Sequence, residues 1–81
     1  MSPALTPIPP NKFRAILEKT GFRIERETEY NWTLFKIDSP RSVIVLPKKG
    51  ELVSLTVMMG ILDQIKMDIK TYFDLLRQVQ N

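Results

Sequence analysis

Residues 21–47, GFRIERETEYNWTLFKIDSPRSVIVLP, decide the fold of this chain. Phe22 and Ile24 alternate with charged residues, a pattern that predicts a half-buried first strand. Residues 30–38 are rich in aromatic and β-branched side chains, and residues 42–47 form an apolar run that ends in proline, so both segments predict strands. The connections are short, with a Ser-Pro-Arg turn before the last strand. We therefore expect an antiparallel meander, because parallel strands need long crossovers.

A helix is predicted before the first strand, at about residues 12–20. Its apolar positions recur at helical spacing, at Phe13, Ile16 and Leu17. Asn11 is a candidate N-cap, and Gly21 is a candidate helix stop.

Two more helices are predicted after the last strand. Thr56 is a candidate N-cap for the first of them, and Gly60 inside it is expected to permit a close backbone approach. Asp68 is a candidate cap for the second, whose apolar stripe consists of Ile69, Tyr72, Phe73, Leu76 and Val79. The order α-β-β-β-α(-α) predicts an α+β fold, in which a three-stranded antiparallel sheet carries its helices on one face.

Length and composition indicate one small domain. The chain has 81 residues, and four of its six prolines lie in residues 1–10, which predicts a Pro-rich N-terminal arm followed by a single domain at residues 11–81. No apolar run approaches a membrane span of about 20 residues, no secretory signal is visible, and there is no cysteine. These features favour a cytoplasmic protein, with no membrane association. No metal site or cofactor is expected, and a net charge of +3 permits RNA binding without requiring it.

Several residues together resemble one known family. They are Gly21 and Phe22 after helix one, Arg26 in the first strand, Pro47 with Lys48 and Lys49, Thr56 with Ile61 and Leu62, and Tyr72 with Phe73. In this order and spacing, over roughly residues 11–76, the chain resembles the HicA (YcfA-like) family of type II toxin–antitoxin systems. The resemblance implies a double-stranded-RNA-binding-domain-like fold, mRNA interferase activity and a HicB antitoxin as partner.

The chain departs from that family at its catalytic position. Aligned from Arg26, the family's Gly-Ser-His signature falls on Glu29, Tyr30 and Asn31, so that Asn31 stands where the resemblance implies the catalytic histidine. The glycine usual before the helix-two threonine is also replaced, by Leu55. Asparagine can hydrogen-bond RNA but cannot transfer protons, and the chain has no histidine. We therefore expect a HicA-like binding domain without histidine-dependent ribonuclease activity.

Two alternatives stay open on the RNA side. An active mRNA interferase would need Tyr30, Arg26, Glu29 and Lys48 to converge as a substitute site. RNA binding without cleavage would use Lys48, Lys49, Asn31 and Arg26. The glutamates at positions 25, 27 and 29 weigh against strong RNA binding, because they dilute the positive charge.

The other possibility is a protein partner. The second strand carries apolar residues on both faces, with Trp32 and Leu34 on one and Phe35 and Ile37 on the other, so one pair is expected to stay partly exposed. Tyr30, Trp32 and Leu34 are the predicted docking surface for an antitoxin-like partner or a second copy. Alternatively, the Pro-rich arm or the last helix covers the exposed pair. A purely structural or assembly subunit is a third class of function.

Overall fold

The computed structural model describes residues 5–37 and 42–80. The elements in chain order are α1 (Pro10–Lys19), β1 (Arg23–Glu27), β2 (Asn31–Lys36), β3 (Ser42–Pro47), α2 (Leu55–Gln64) and α3 (Ile69–Gln80). The predicted α+β order and the antiparallel three-stranded sheet, in the order β1-β2-β3, are confirmed. The Ser-Pro-Arg turn and the first four residues of the predicted arm lie outside the described residues. In the described ranges, none of the helices is both long and apolar enough to cross a membrane.

The first strand is less buried than its alternation predicts. All five residues of β1 are exposed, and the buried Phe22 lies just before the strand. β1 is an edge strand, and its pairing with β2 shifts register between Ile24 and Arg26, which marks a β-bulge. The prediction of a half-buried strand is therefore wrong, because β1 lies at the edge of the sheet and contributes no residue to the buried core.

Helix α1 begins earlier than predicted and ends where predicted. Its N-cap is Pro9 rather than Asn11, and Pro10 occupies the first turn, where a missing N–H is tolerated. At the other end, Gly21 has a φ of +102°. The Phe22 N–H donates to the Leu17 carbonyl at 3.3 Å, and the Gly21 N–H donates to the Glu18 carbonyl at 3.1 Å. This is a Schellman motif, which ends the helix at the predicted glycine.

The caps of the later helices are partly as expected. Ser54, not Thr56, caps α2, because the Ser54 Oγ accepts the Val57 N–H at 3.3 Å. Asp68 caps α3 as predicted, and its Oδ1 accepts the Thr71 N–H at 2.7 Å. The expected close approach at Gly60 is wrong, since a Cβ there would meet no atom within 4 Å.

The core lies between the helices and one face of the sheet. It contains residues from all three helices and from β2 and β3: Phe13, Ile16, Leu17, Leu34, Ile44, Leu46, Met58, Ile61, Leu62 and Tyr72 are among its members. The described part of the Pro-rich arm belongs to this layer as well. Ile8 is buried, and its carbonyl accepts the Val53 N–H at 2.7 Å. The helices and the arm therefore pack on the same side of the sheet.

Candidate functional site

The two faces of the sheet are covered to very different degrees. Trp32 and Leu34 of β2 are 5% and 0% exposed, because they point toward the helices together with Ile44 and Leu46 of β3. The predicted docking surface of Tyr30, Trp32 and Leu34 is therefore wrong for Trp32 and Leu34, which are core residues. Only Tyr30 of that set is exposed.

The opposite side, which we call the outer face, is defined by Arg23, Arg26, Thr33, Phe35, Val43 and Val45. Strand pairing arranges these side chains in two rows. Phe35 lies between Arg23 and Val43, and Thr33 lies between Arg26 and Val45. Val43 and Val45 are 43% and 57% exposed, and Ile37, just beyond β2, is 80% exposed. The described residues thus leave apolar side chains of β3 open to solvent.

A shallow groove of about 440 Å³ lies at one end of this face. It is lined by Gly21, Arg23, Phe35, Lys36 and Ile37. Two cationic side chains and two apolar ones therefore surround the same depression. This chemistry suits a group that is both anionic and apolar.

Asn31, one of the predicted RNA-site residues, lies at the other end of β2, next to the turn between β1 and β2. Lys48 and Lys49 follow β3, and Arg26 lies in β1. Thr28 orders the turn between β1 and β2, because its Oγ1 accepts the backbone N–H groups of Tyr30 at 3.2 Å and of Asn31 at 3.0 Å. The Thr28 N–H donates to the Asn31 carbonyl at 2.8 Å and closes the hairpin. Tyr30 is 60% exposed at this tip, and Asn31 opens β2 opposite Pro47.

The lysines that were predicted to contact phosphate pair with glutamates in this structure. Lys48 forms a hydrogen-bonded ion pair with Glu27, and the Lys49 Nζ lies 3.2 Å from the Glu29 Oε1. The Lys49 Nζ also lies 5.1 Å from the centre of the Tyr30 ring. The pKa of the Glu27 carboxyl is lowered by the Lys48 hydrogen bond and charge, with smaller contributions from Trp32 and Arg14. Glu27 and Glu29 therefore neutralise much of the positive charge of Lys48 and Lys49.

The substitute catalytic set converges only in part. Tyr30, Glu29 and the Lys48 backbone meet at the tip, where the Lys48 N–H donates to the Tyr30 carbonyl at 2.9 Å. Arg26 instead lies opposite Thr33 on the outer face. The groove lies at the far end of β2 from this tip. The geometry therefore gives the tip residues an exposed surface rather than an enclosed site.

Trp32 links the tip to the core. The Arg14 guanidinium carbon lies 4.6 Å from the centre of its ring, and the Lys48 Nζ lies 5.7 Å from it. The Trp32 Nε1 is buried and makes no hydrogen bond of normal geometry to the described residues. Trp32 thus holds α1 and the loop after β3 in place, which is a structural role.

Sequence reasoning did not identify the valines of β3 or Arg23. A signal for them was present in residues 42–47, whose apolar residues occupy both alternating positions. Such a run predicts a strand whose two faces are both buried. Since the helices cover only one side, half of those side chains stay exposed.

Comparison with known proteins found no match. No protein-family model matches the chain, no curated protein matches it, and no solved structure matches it.

Proposed function

We propose that this chain is a HicA-like domain that binds a protein partner through its outer face, without histidine-dependent cleavage of RNA. The observation that carries the proposal is the exposure of Val43 and Val45, which are 43% and 57% open to solvent beside the half-buried Phe35. Burial of apolar surface contributes about 25 cal/mol per Å². Contiguous exposed apolar side chains on a folded domain are therefore typical of an interaction surface.

The sheet edges favour docking onto the face over addition of a strand. At the free edge of β3, the Val43 carbonyl accepts the Gln64 Nε2–H at 2.7 Å. Because backbone groups alternate in direction along a strand, Val45 and Pro47 also point toward this free edge. Pro47 has no N–H to offer there. At the other edge the β1 bulge disrupts a regular ladder. Neither edge is a good template for an added strand.

The absence of histidine-dependent cleavage is supported by Asn31. Asn31 occupies the position at which the HicA resemblance places the catalytic base, and it cannot exchange protons near neutral pH. Induced expression in a bacterial host should therefore cause neither growth arrest nor mapped mRNA cuts. Growth arrest that Tyr30→Phe abolishes would instead support an active interferase with a substitute site.

The binding proposal is tested with the folded protein as bait in an extract of its native host. A captured protein is purified and titrated against the wild type, Val45→Glu and Leu52→Glu. Val45 lies on the outer face, whereas Leu52 is similarly exposed in the loop before α2 and serves as the matched control. We expect Val45→Glu to weaken binding at least about tenfold, because it places a charge in an apolar contact, and Leu52→Glu to leave it unchanged.

Equal affinity of the two variants would contradict the proposal. Circular dichroism of each variant shows whether it is folded, so that a loss of binding is not confused with a loss of structure.

A second candidate function is RNA binding at the hairpin tip. The specific observation is that Tyr30 is exposed with the Lys49 Nζ 5.1 Å from its ring centre, a combination of aromatic and cationic groups on which single-stranded bases stack. A titration with a single-stranded RNA oligonucleotide at low and high salt tests it. Binding that Tyr30→Ala weakens and Val45→Ala does not would support this candidate. No binding at low salt would remove it.

A further inference from the structure

The structure points to the kind of partner that fits the outer face: we propose that it accepts one amphipathic helix whose flank carries carboxylates. This inference rests on the proposed function and specifies the partner of the same surface. Arg23 and Arg26 lie on the β1 side of the face, whereas Val43 and Val45 lie on the β3 side. The face is thus cationic along one edge and apolar along the other.

The width of the sheet matches a single helix. Neighbouring strands lie about 4.8 Å apart, so β1 and β3 are separated by about 10 Å. An α-helix with its side chains is about 10 Å across. One helix therefore spans from the arginines to the valines, and its apolar stripe meets Phe35 on the central strand β2.

The groove at the end of the face adds a place for one carboxylate. Arg23 and Lys36 line it together with Phe35 and Ile37. An arginine guanidinium can hold a carboxylate by two parallel hydrogen bonds, and such a pair is stronger beside apolar surface than in open water. An acidic side chain next to an apolar one on the partner helix satisfies both halves of the groove.

A second copy of this chain fits the face less well. The six residues that define the outer face include two arginines and no carboxylate. In a face-to-face pair, each copy would therefore add positive charge to the contact without a carboxylate of the same face to offset it. A nucleic acid matches the arginines but not the valines. An acidic amphipathic helix matches both.

The test uses a designed helical peptide of about 18 residues, because shorter isolated helices are marginally stable. Leucines occupy one face, and glutamates occupy one flank; a matched peptide carries glutamine in place of every glutamate. Each is titrated into ¹⁵N-labelled protein. We expect saturable shifts of the Arg23, Phe35, Val43 and Val45 amides with the glutamate peptide, and binding at least about tenfold weaker with the glutamine peptide.

Charge reversal supplies the matched variants. Arg26→Glu should weaken binding of the glutamate peptide at least about tenfold. A third peptide, with lysine in place of glutamate, should recover binding to Arg26→Glu. Arg26→Gln, which keeps a polar side chain at this exposed position, provides a second variant if the reversal disturbs the strand.

Four results would overturn the inference. The first is equal binding of the glutamate and glutamine peptides, and the second is amide shifts that are absent or confined to the hairpin tip. The third is a concentration dependence of the same amide shifts in the absence of peptide. The fourth is displacement of the peptide by single-stranded RNA. Equal binding of the two peptides at the outer face leaves the proposed function intact, because the face then binds protein without selecting acidic groups. The proposed function also stands, and the inference fails, if a host partner no longer binds Val45→Glu but still binds Arg26→Gln.

Discussion

The inner and outer faces of β3 are buried to very different degrees although their residues are chemically alike. Ile44 and Leu46 are 1% and 0% exposed, while the adjacent Val43 and Val45 remain open to solvent. All four side chains are aliphatic, so residue type does not separate them. What separates them is the single layer of helices, which covers one face of the sheet. An apolar strand beside a single helical layer therefore keeps apolar side chains exposed on its uncovered face, and here these side chains, Val43 and Val45, belong to the candidate site.

The largest expected effect comes from truncating one residue on each face. Leu46→Ala should lower the free energy of unfolding by about 2–5 kcal/mol, because it leaves a cavity in the core. Val45→Ala should lower it by less than about 1 kcal/mol, because the side chain is largely in water already. Urea unfolding of both variants measures the difference. If Leu46→Ala leaves too little folded protein, the milder Leu46→Val replaces it. Equal losses of unfolding free energy at the two positions would contradict the difference between the two faces.

A smaller effect is expected at Tyr72, a polar exception within the inner layer. Tyr72 is buried against Phe13, and its hydroxyl has no hydrogen-bond partner among the described residues. Leaving a buried hydroxyl unpaired is costly, so Tyr72→Phe should leave stability unchanged or raise it by about 1 kcal/mol. Thermal unfolding measures this. Tyr30→Phe, at the exposed tip, is the control and should have no effect.

The same tyrosine predicts a loss of stability in alkali. Burial raises the pKa of the Tyr72 hydroxyl above its ordinary value of 10.0. The unfolded chain therefore releases this proton first, and stability should fall as the pH rises above that value. Tyr72→Phe should remove this part of the alkaline loss. An identical alkaline slope in the wild type and the variant would show that the hydroxyl is not buried in solution.

The smallest effect is expected at the cap of α3, which helps to hold the inner layer against the sheet. The hydrogen bonds from Thr71 lower the pKa of the Asp68 carboxyl below its ordinary value of 3.8. The stabilisation is present above that value and is lost as the pH falls through the lower pKa of the folded state. Asp68→Ala should therefore lower the melting temperature at neutral pH, and the gap to the wild type should close in acid. A gap that is independent of pH would contradict this role.

Local chemistry was enough to predict much of the fold. The second and third strands, the stop at Gly21 and the cap at Asp68 follow from residue types and spacing that act over a few positions. The caps predicted at Asn11 and Thr56 were wrong because both helices begin earlier, after Pro9, which makes no side-chain cap hydrogen bond, and after Ser54, which does. In such cases the exact first turn depends on packing as well as on the capping side chain.

Long-range packing decided what the sequence could not predict. Both alternating sets of β2 are apolar, so the buried pair, Trp32 and Leu34, could not be chosen before the position of the helices was known. The register between the tip and the loop after β3 likewise decides that Lys48 meets Glu27. Two of the three predicted docking residues, Trp32 and Leu34, therefore lie on the buried face, and the exposed valines of β3 were not predicted.

The most direct test of the exposed outer face uses single cysteines, since the chain has none of its own. Val45→Cys and Leu46→Cys place a thiol on opposite faces at adjacent positions. We expect a thiol reagent to modify Val45→Cys about as fast as an unfolded thiol, and Leu46→Cys only as fast as the protein unfolds. The glutamate peptide should then slow the labelling of Val45→Cys and leave Leu46→Cys unchanged. Slow labelling of Val45→Cys in the protein alone would contradict the account, because the outer face would already be covered.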